Sequence, residues 1–75
     1  MENKLNQDLK KLGYRMKSLR KKKGFDSVEK FSFDSDISRV LYGNYENGNI
    51  TYKNLLKVIR SLDISIKDFF SEGFD

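Results

Sequence analysis

Seventy-five residues suffice for one hydrophobic core, and the chain is expected to form a single domain over residues 1–75. It has neither cysteine nor histidine, which excludes disulfides, thiolate or imidazole metal sites and the commonest general base. The formal charge of +4 is uneven: Met1 to Gly24 holds nine Lys and Arg against two Asp and Glu, and Phe25 to Asp75 holds six against nine. A basic N-terminal third suits a polyanionic partner, but it also describes the solvated end of a lysine-rich helix.

Leu5, Leu9, Leu12, Met16 and Leu19 recur at alternating steps of four and three, an apolar stripe along a first helix over residues 6–23. Its start is expected between Asn3 and Asp8, its end at Lys23-Gly24 with cations in the last turn. Gly13 in its middle costs about 1 kcal/mol against Ala, and close approach of another backbone would explain it. Ser27 can cap a second helix over 27–33 with Val28, Phe31 and Ser32 inward. Asp34-Ser35-Asp36 is a short polar turn, so the next helix should cross the second steeply. That third helix, 38–47, is entered at Ile37 and capped by Ser38 or Asp36. A helical wheel puts Ile37, Leu41, Tyr45 and, marginally, Tyr42 inward, with Arg39, Val40, Gly43, Asn44 and Asn47 on the opposite side. Gly48 closes it. Thr51 caps a fourth helix over 51–62 whose Leu55, Leu56, Val58, Ile59 and Leu62 face the core, and a short fifth helix over 65–70 carries Ile66, Phe69 and Phe70.

The expected class is therefore all-α, a five-helix bundle without strands, repeats or long linkers. Met1 to Lys10 contains no apolar run, so neither a signal peptide nor a membrane anchor is expected, and a cytoplasmic protein is. No coherent pair of titratable groups suggests an enzyme, and no cofactor or metal is implied.

Between Leu12 and Phe70 the chain resembles the Cro and phage-repressor, or XRE-type, helix-turn-helix family. Leu12 to Arg20 is similar to that family's first helix and Gly24 to its terminator. Ser27 to Phe33 matches the second helix, Ile37 to Gly48 the recognition helix ending in Glu46-Asn47-Gly48, and Leu55 to Ser65 the closing helices. Three positions depart from the pattern: Val28 stands where the family usually has Gln, Ser32 where it has a small Ala, and Asp36 where it has the turn Gly. Asp34 and Asp36 would repel phosphate if they faced DNA, and they also suit caps of the third helix.

The resemblance implies a lambda-repressor-like domain that binds double-stranded DNA and regulates transcription, as a repressor or controller on a palindromic operator. Arg39 then takes an early outward position that reads bases, and its guanidinium matches guanine O6 and N7. Val40 can touch a thymine methyl, Asn44 matches the adenine edge, and Gly43 either admits close approach to DNA or only weakens the helix. Phosphate contacts are expected from Ser27 and Ser38 at helix starts, and from Asn47, Asn49, Thr51, Tyr52 and Lys53 around the fourth helix's start. Lys21, Lys22 and Lys23 are candidates for long-range steering. Arg20 and Glu46 correspond to the family's structural ion pair. Ile64, Ile66, Phe69, Phe70 and Phe74 exceed what a short last helix needs, and the resemblance places them at a homodimer interface; closing the monomer core is the other reading their apolar character allows. No small-molecule effector is implied. An alternative in another class stays open at this point: an antitoxin-like or accessory protein-interaction module using the aromatic C-terminus.

Overall fold

Short side-chain caps decide where most of the helices begin. In the computed structural model, which describes residues 4–75, these residues form α1 (Lys4–Lys22), α2 (Val28–Asp34), α3 (Arg39–Glu46), α4 (Tyr52–Ser61) and α5 (Ile66–Phe69), with no strand among them. Ser27, Ser38, Thr51 and Ser65 are the N-caps of α2 to α5, each side-chain oxygen accepting the backbone N–H three residues on. These helices accordingly begin one residue later than the expected ranges. Asp36 is not a cap but part of the turn. Asn3 lies outside the described residues, and Asp8 sits in the second turn of α1, 3.7 Å from Lys11.

One closure ends four helices. After α1, Phe25 N–H donates to the Arg20 carbonyl and Gly24 N–H to that of Lys21; the same paired bonds follow α2 at Ile37 and Asp36, α3 at Asn49 and Gly48, and α4 at Ile64 and Asp63. This is the Schellman arrangement, which needs one left-handed residue. Gly24 and Gly48 supply it at φ 104° and 93°, and Asp36 and Asp63 at 56° and 57°. The apolar residue after each aspartate, Ile37 or Ile64, then turns back onto the core.

The core comprises Met16, Phe31, Tyr42, Tyr45, Leu55, Val58, Ile59, Leu62 and Phe69. Phe25, Phe31, Tyr42 and Tyr45 form an aromatic chain through it, with Phe31 and Tyr42 ring centroids 4.9 Å apart. The apolar stripe of α1 is only partly used: Met16 is buried, Leu12 and Leu19 pack at the margin, and Leu5 is exposed. Leu56 is half-buried, outside the core proper.

Two contacts lock the layers. Gly13 brings α1 against α3 so closely that a β-carbon would collide with the Glu46 carbonyl oxygen. Arg15, buried despite its charge, donates from Nε to the Phe69 carbonyl and from Nη2 to that of Asp68, both at 2.7 Å. A cation thus sits on the carbonyls at the end of α5, that of Asp68 also accepting from the Ser71 hydroxyl at 2.7 Å, and its guanidinium lies 6.0 Å from the Phe69 ring centre.

Candidate nucleic-acid interface

The outward face of α3 is held from behind. Tyr42 and Tyr45 anchor the helix in the core, α1 and α2 both pack on it, and the Glu46 side chain turns inward to Arg20. Arg20 Nε donates to Glu46 Oε2 at 2.8 Å, Nη2 to Oε1 at 3.4 Å, and Nη1 to the Phe25 carbonyl at 2.7 Å. Both side chains are buried, so the guanidinium exchanges water for a carboxylate and a carbonyl in fixed directions. The hydrogen bond that Arg20 donates to Glu46 raises the Arg20 pKa against the opposing effect of burial. Beside the pair, burial first and the Glu46 carboxylate second push the Tyr42 phenol above its ordinary 10.0. Its hydroxyl makes no hydrogen bond of good geometry.

On the other side, Arg39, Val40, Asn44 and Asn47 are exposed. Apart from its own helix and chain neighbours, nothing among the described residues stands within 4 Å of the position a Gly43 β-carbon would take. Arg39 is not free: Nη1 donates to Glu29 Oε1 on α2 at 2.9 Å, between two largely exposed side chains. This partner carries no sequence signal, since ten residues and a turn separate the two. Leu41 corrects the helical wheel. It is 50% exposed, and the marginal Tyr42 is fully buried, because Phe31 draws the ring of Tyr42 to the centre. The outward arc of α3 therefore continues past Asn44 to Leu41.

The other candidate residues are placed as follows. Ser38, Asn47, Asn49, Thr51, Tyr52 and Lys53 are exposed and Ser27 is half-buried; Ser27, Ser38 and Thr51 use their hydroxyl oxygens as caps. Lys21, Lys22 and Lys23 are all exposed, and the Lys23 Nζ donates to the Ser61 carbonyl at the end of α4 at 2.6 Å, which leaves its charge in place.

The C-terminal aromatic set needs a correction too. Phe69 has no exposed surface and belongs to the monomer core, so it offers nothing to a partner. Ile64 and Phe74 pack partly against the core, while Ile66 and Phe70 stay exposed. An open groove of about 590 Å³ runs between α4 and α5, with Leu56, Arg60, Asp63 and Ile66 among its lining residues. Among the described residues no cluster of acidic side chains could hold a metal, and no helix is long and apolar enough to cross a membrane.

Comparison with known proteins adds to this geometry. A helix-turn-helix family model matches residues 16–69. Over 64 residues the chain is 37% identical to a protein named control protein C.MunI of Mycoplasma sp., covering 83% of this chain and 86% of that relative. No solved structure matches significantly. The matched segment runs from within α1 to the end of α5 and takes in the Arg20–Glu46 pair, though not Gly13; the chain belongs to the XRE-type helix-turn-helix family and is a DNA-binding transcriptional regulator.

Proposed function

We propose that the protein is a sequence-specific repressor or controller that reads a palindromic operator as a homodimer in the cytoplasm, with α3 in the major groove. The observation that carries this reading is the outward arc of α3, where Arg39, Val40 and Asn44 are exposed and Gly43 has open space before it. An α-helix fits the major groove, where each base pair shows a distinct edge. In this reading Arg39, Val40, Gly43 and Asn44 meet bases. Ser27, Ser38, Asn47, Asn49, Thr51, Tyr52 and Lys53 meet phosphates and fix the register. One reading head of this size covers about half an operator, so a second copy on a symmetric site supplies the remaining specificity. Ile66 and Phe70, with the exposed edges of Ile64 and Phe74, are the surface for that copy. The likeness to a protein named as a control protein favours this reading over an accessory interaction module. With no effector site invoked, control acts through protein concentration.

Selection of bound duplexes from a random pool tests it. A palindromic consensus is expected, with binding that weakens steeply as salt rises. Arg39→Ala should relax preference at one base position by about 1–3 kcal/mol, whereas Lys53→Ala should weaken all sequences evenly. A pool that enriches nothing, or equal sequence-blind losses from both variants, would overturn it.

A further inference from the structure

α3 exposes two adjacent apolar side chains on the face assigned to DNA. Val40 is 68% exposed and Leu41 50%, although the buried side of the same helix has room for Tyr42 and Tyr45. At about 100° per residue, Leu41 ends the outward arc on one flank, next to Asn44 on the wheel and next to Val40 along the chain. Arg39 ends it on the other flank, drawn toward α2 by Glu29. The reading face therefore has a charged flank at Arg39 beside α2 and an apolar flank at Leu41, with Val40 and Asn44 between them. Leu41 is not among the residues that line the α4–α5 groove.

On the base edges of the major groove, the one apolar feature in unmodified DNA is the C5-methyl group of thymine. We propose that Leu41, together with Val40, forms an apolar seat for a pyrimidine C5-methyl group, making Leu41 a specificity-determining residue. This inference rests on α3 entering the major groove as proposed above. Burial of a methyl group between two aliphatic side chains gives discrimination without any hydrogen bond, because uracil presents the same O4 acceptor and lacks only the methyl. The amide of Asn44, beside Leu41 on the arc, is left to polar edges. The two flanks then read different chemistry: a guanine edge or phosphate at Arg39, a methyl at Leu41.

Uracil substitution isolates the proposal. The full-length chain is titrated against its selected operator and against duplexes carrying deoxyuridine for one thymine at a time. Wild type should lose about fourfold in affinity at one or two thymines of each half-site, the worth of one buried methyl group. Leu41→Ala, whose thermal melt should match that of wild type because the side chain is half in water, should bind the thymine operator about as weakly as wild type binds the uracil one. It should also be indifferent to uracil at that position. Val40→Ala supplies a second, independently folding variant, with reduced sensitivity at the same or the adjacent step. Indifference of wild type to uracil everywhere overturns the proposal, as does undiminished sensitivity in both variants. Sequence-specific binding that ignores the methyl sinks this inference alone; absence of sequence-specific binding sinks the operator reading and this inference with it.

Discussion

Gly13 and Gly43 both interrupt helices, and the same substitution to alanine should move stability in opposite directions at the two sites. At Gly43 the new β-carbon meets nothing within 4 Å. The gain in helix propensity, about 1 kcal/mol, is then realised in full and should raise Tm by roughly 4–8 °C in a domain of this size. At Gly13 the same propensity gain is opposed by a collision with the Glu46 backbone, whose carbonyl carbon would lie 2.7 Å from the new atom. Neither partner can rotate away, since the Glu46 atoms are main chain and the β-carbon is fixed by the main chain of α1, and so α1 and α3 must separate. Overpacking of this kind costs about 1–3 kcal/mol, and a clash with backbone belongs at the upper end. Subtracting the propensity gain leaves a net loss of roughly 2 kcal/mol and a Tm lower by roughly 8–16 °C. Urea and thermal melts followed by far-UV circular dichroism measure both. A Gly13→Ala protein as stable as wild type, or changes of the same sign at both glycines, would refute the packing argument. The Gly43 variant also carries a DNA readout: if a duplex comes close to that backbone, the more stable protein binds its operator less tightly.

Four further outcomes follow from the site. Glu46→Ala leaves the Arg20 guanidinium buried without its carboxylate and should cost about 3–5 kcal/mol in a urea melt. Tyr42→Phe removes a buried hydroxyl that lacks a good hydrogen bond and should be neutral or up to about 1 kcal/mol stabilising. Because the folded state holds the Tyr42 proton above the ordinary value of 10.0, this group leaves wild-type stability independent of pH below that value and lowers it as pH rises above it; urea midpoints between about pH 8 and about pH 11 should fall less steeply for the phenylalanine variant. Asp36→Gly relieves a left-handed aspartate at φ 56°, should stabilise the turn by roughly 0.5–1 kcal/mol, and should strengthen DNA binding if that carboxylate faces phosphate. Glu29→Gln breaks an exposed pair worth about 0–1 kcal/mol, so the melt should barely move; titrations should show tighter binding to arbitrary DNA and weaker base preference at the position Arg39 reads.

What was legible in the sequence was local. The Ser and Thr caps each act within three residues, and Gly24 and Gly48 end helices through their own φ, so five helices in the right order follow from short-range chemistry. What was not legible depends on distant partners. A helical wheel drawn for α3 alone cannot tell Leu41 from Tyr42, because the choice is made by Phe31 on another helix. The aromatic tail reads equally well as core or interface until Arg15, more than fifty positions away, takes the α5 carbonyls and fixes Phe69 inside. Glu29 reaches Arg39 across the turn, with nothing in either residue's neighbourhood to announce it. Base contacts leave no local signature at all, since an outward Arg or Asn looks the same whether it meets solvent or DNA.

Eight residues are too few to hold a helix in water by propensity alone, so the direction in which α3 points is a product of its supports. Ser38 and the Asp36 turn set its start, and Gly48 its end. Two of the remaining supports converge on one residue: the Glu46 carbonyl rests on Gly13, and its carboxylate on Arg20. That convergence separates two kinds of variant. Changes at Gly13, Arg20 or Glu46 move the whole helix, displacing every outward side chain together, and should lower affinity for all sequences alike. Changes at Arg39, Val40, Leu41 or Asn44 leave the helix where it is and alter which sequence is preferred. A Gly13 or Glu46 variant that folded, bound tightly and merely changed its consensus would show that α3 is not held as a rigid unit from behind.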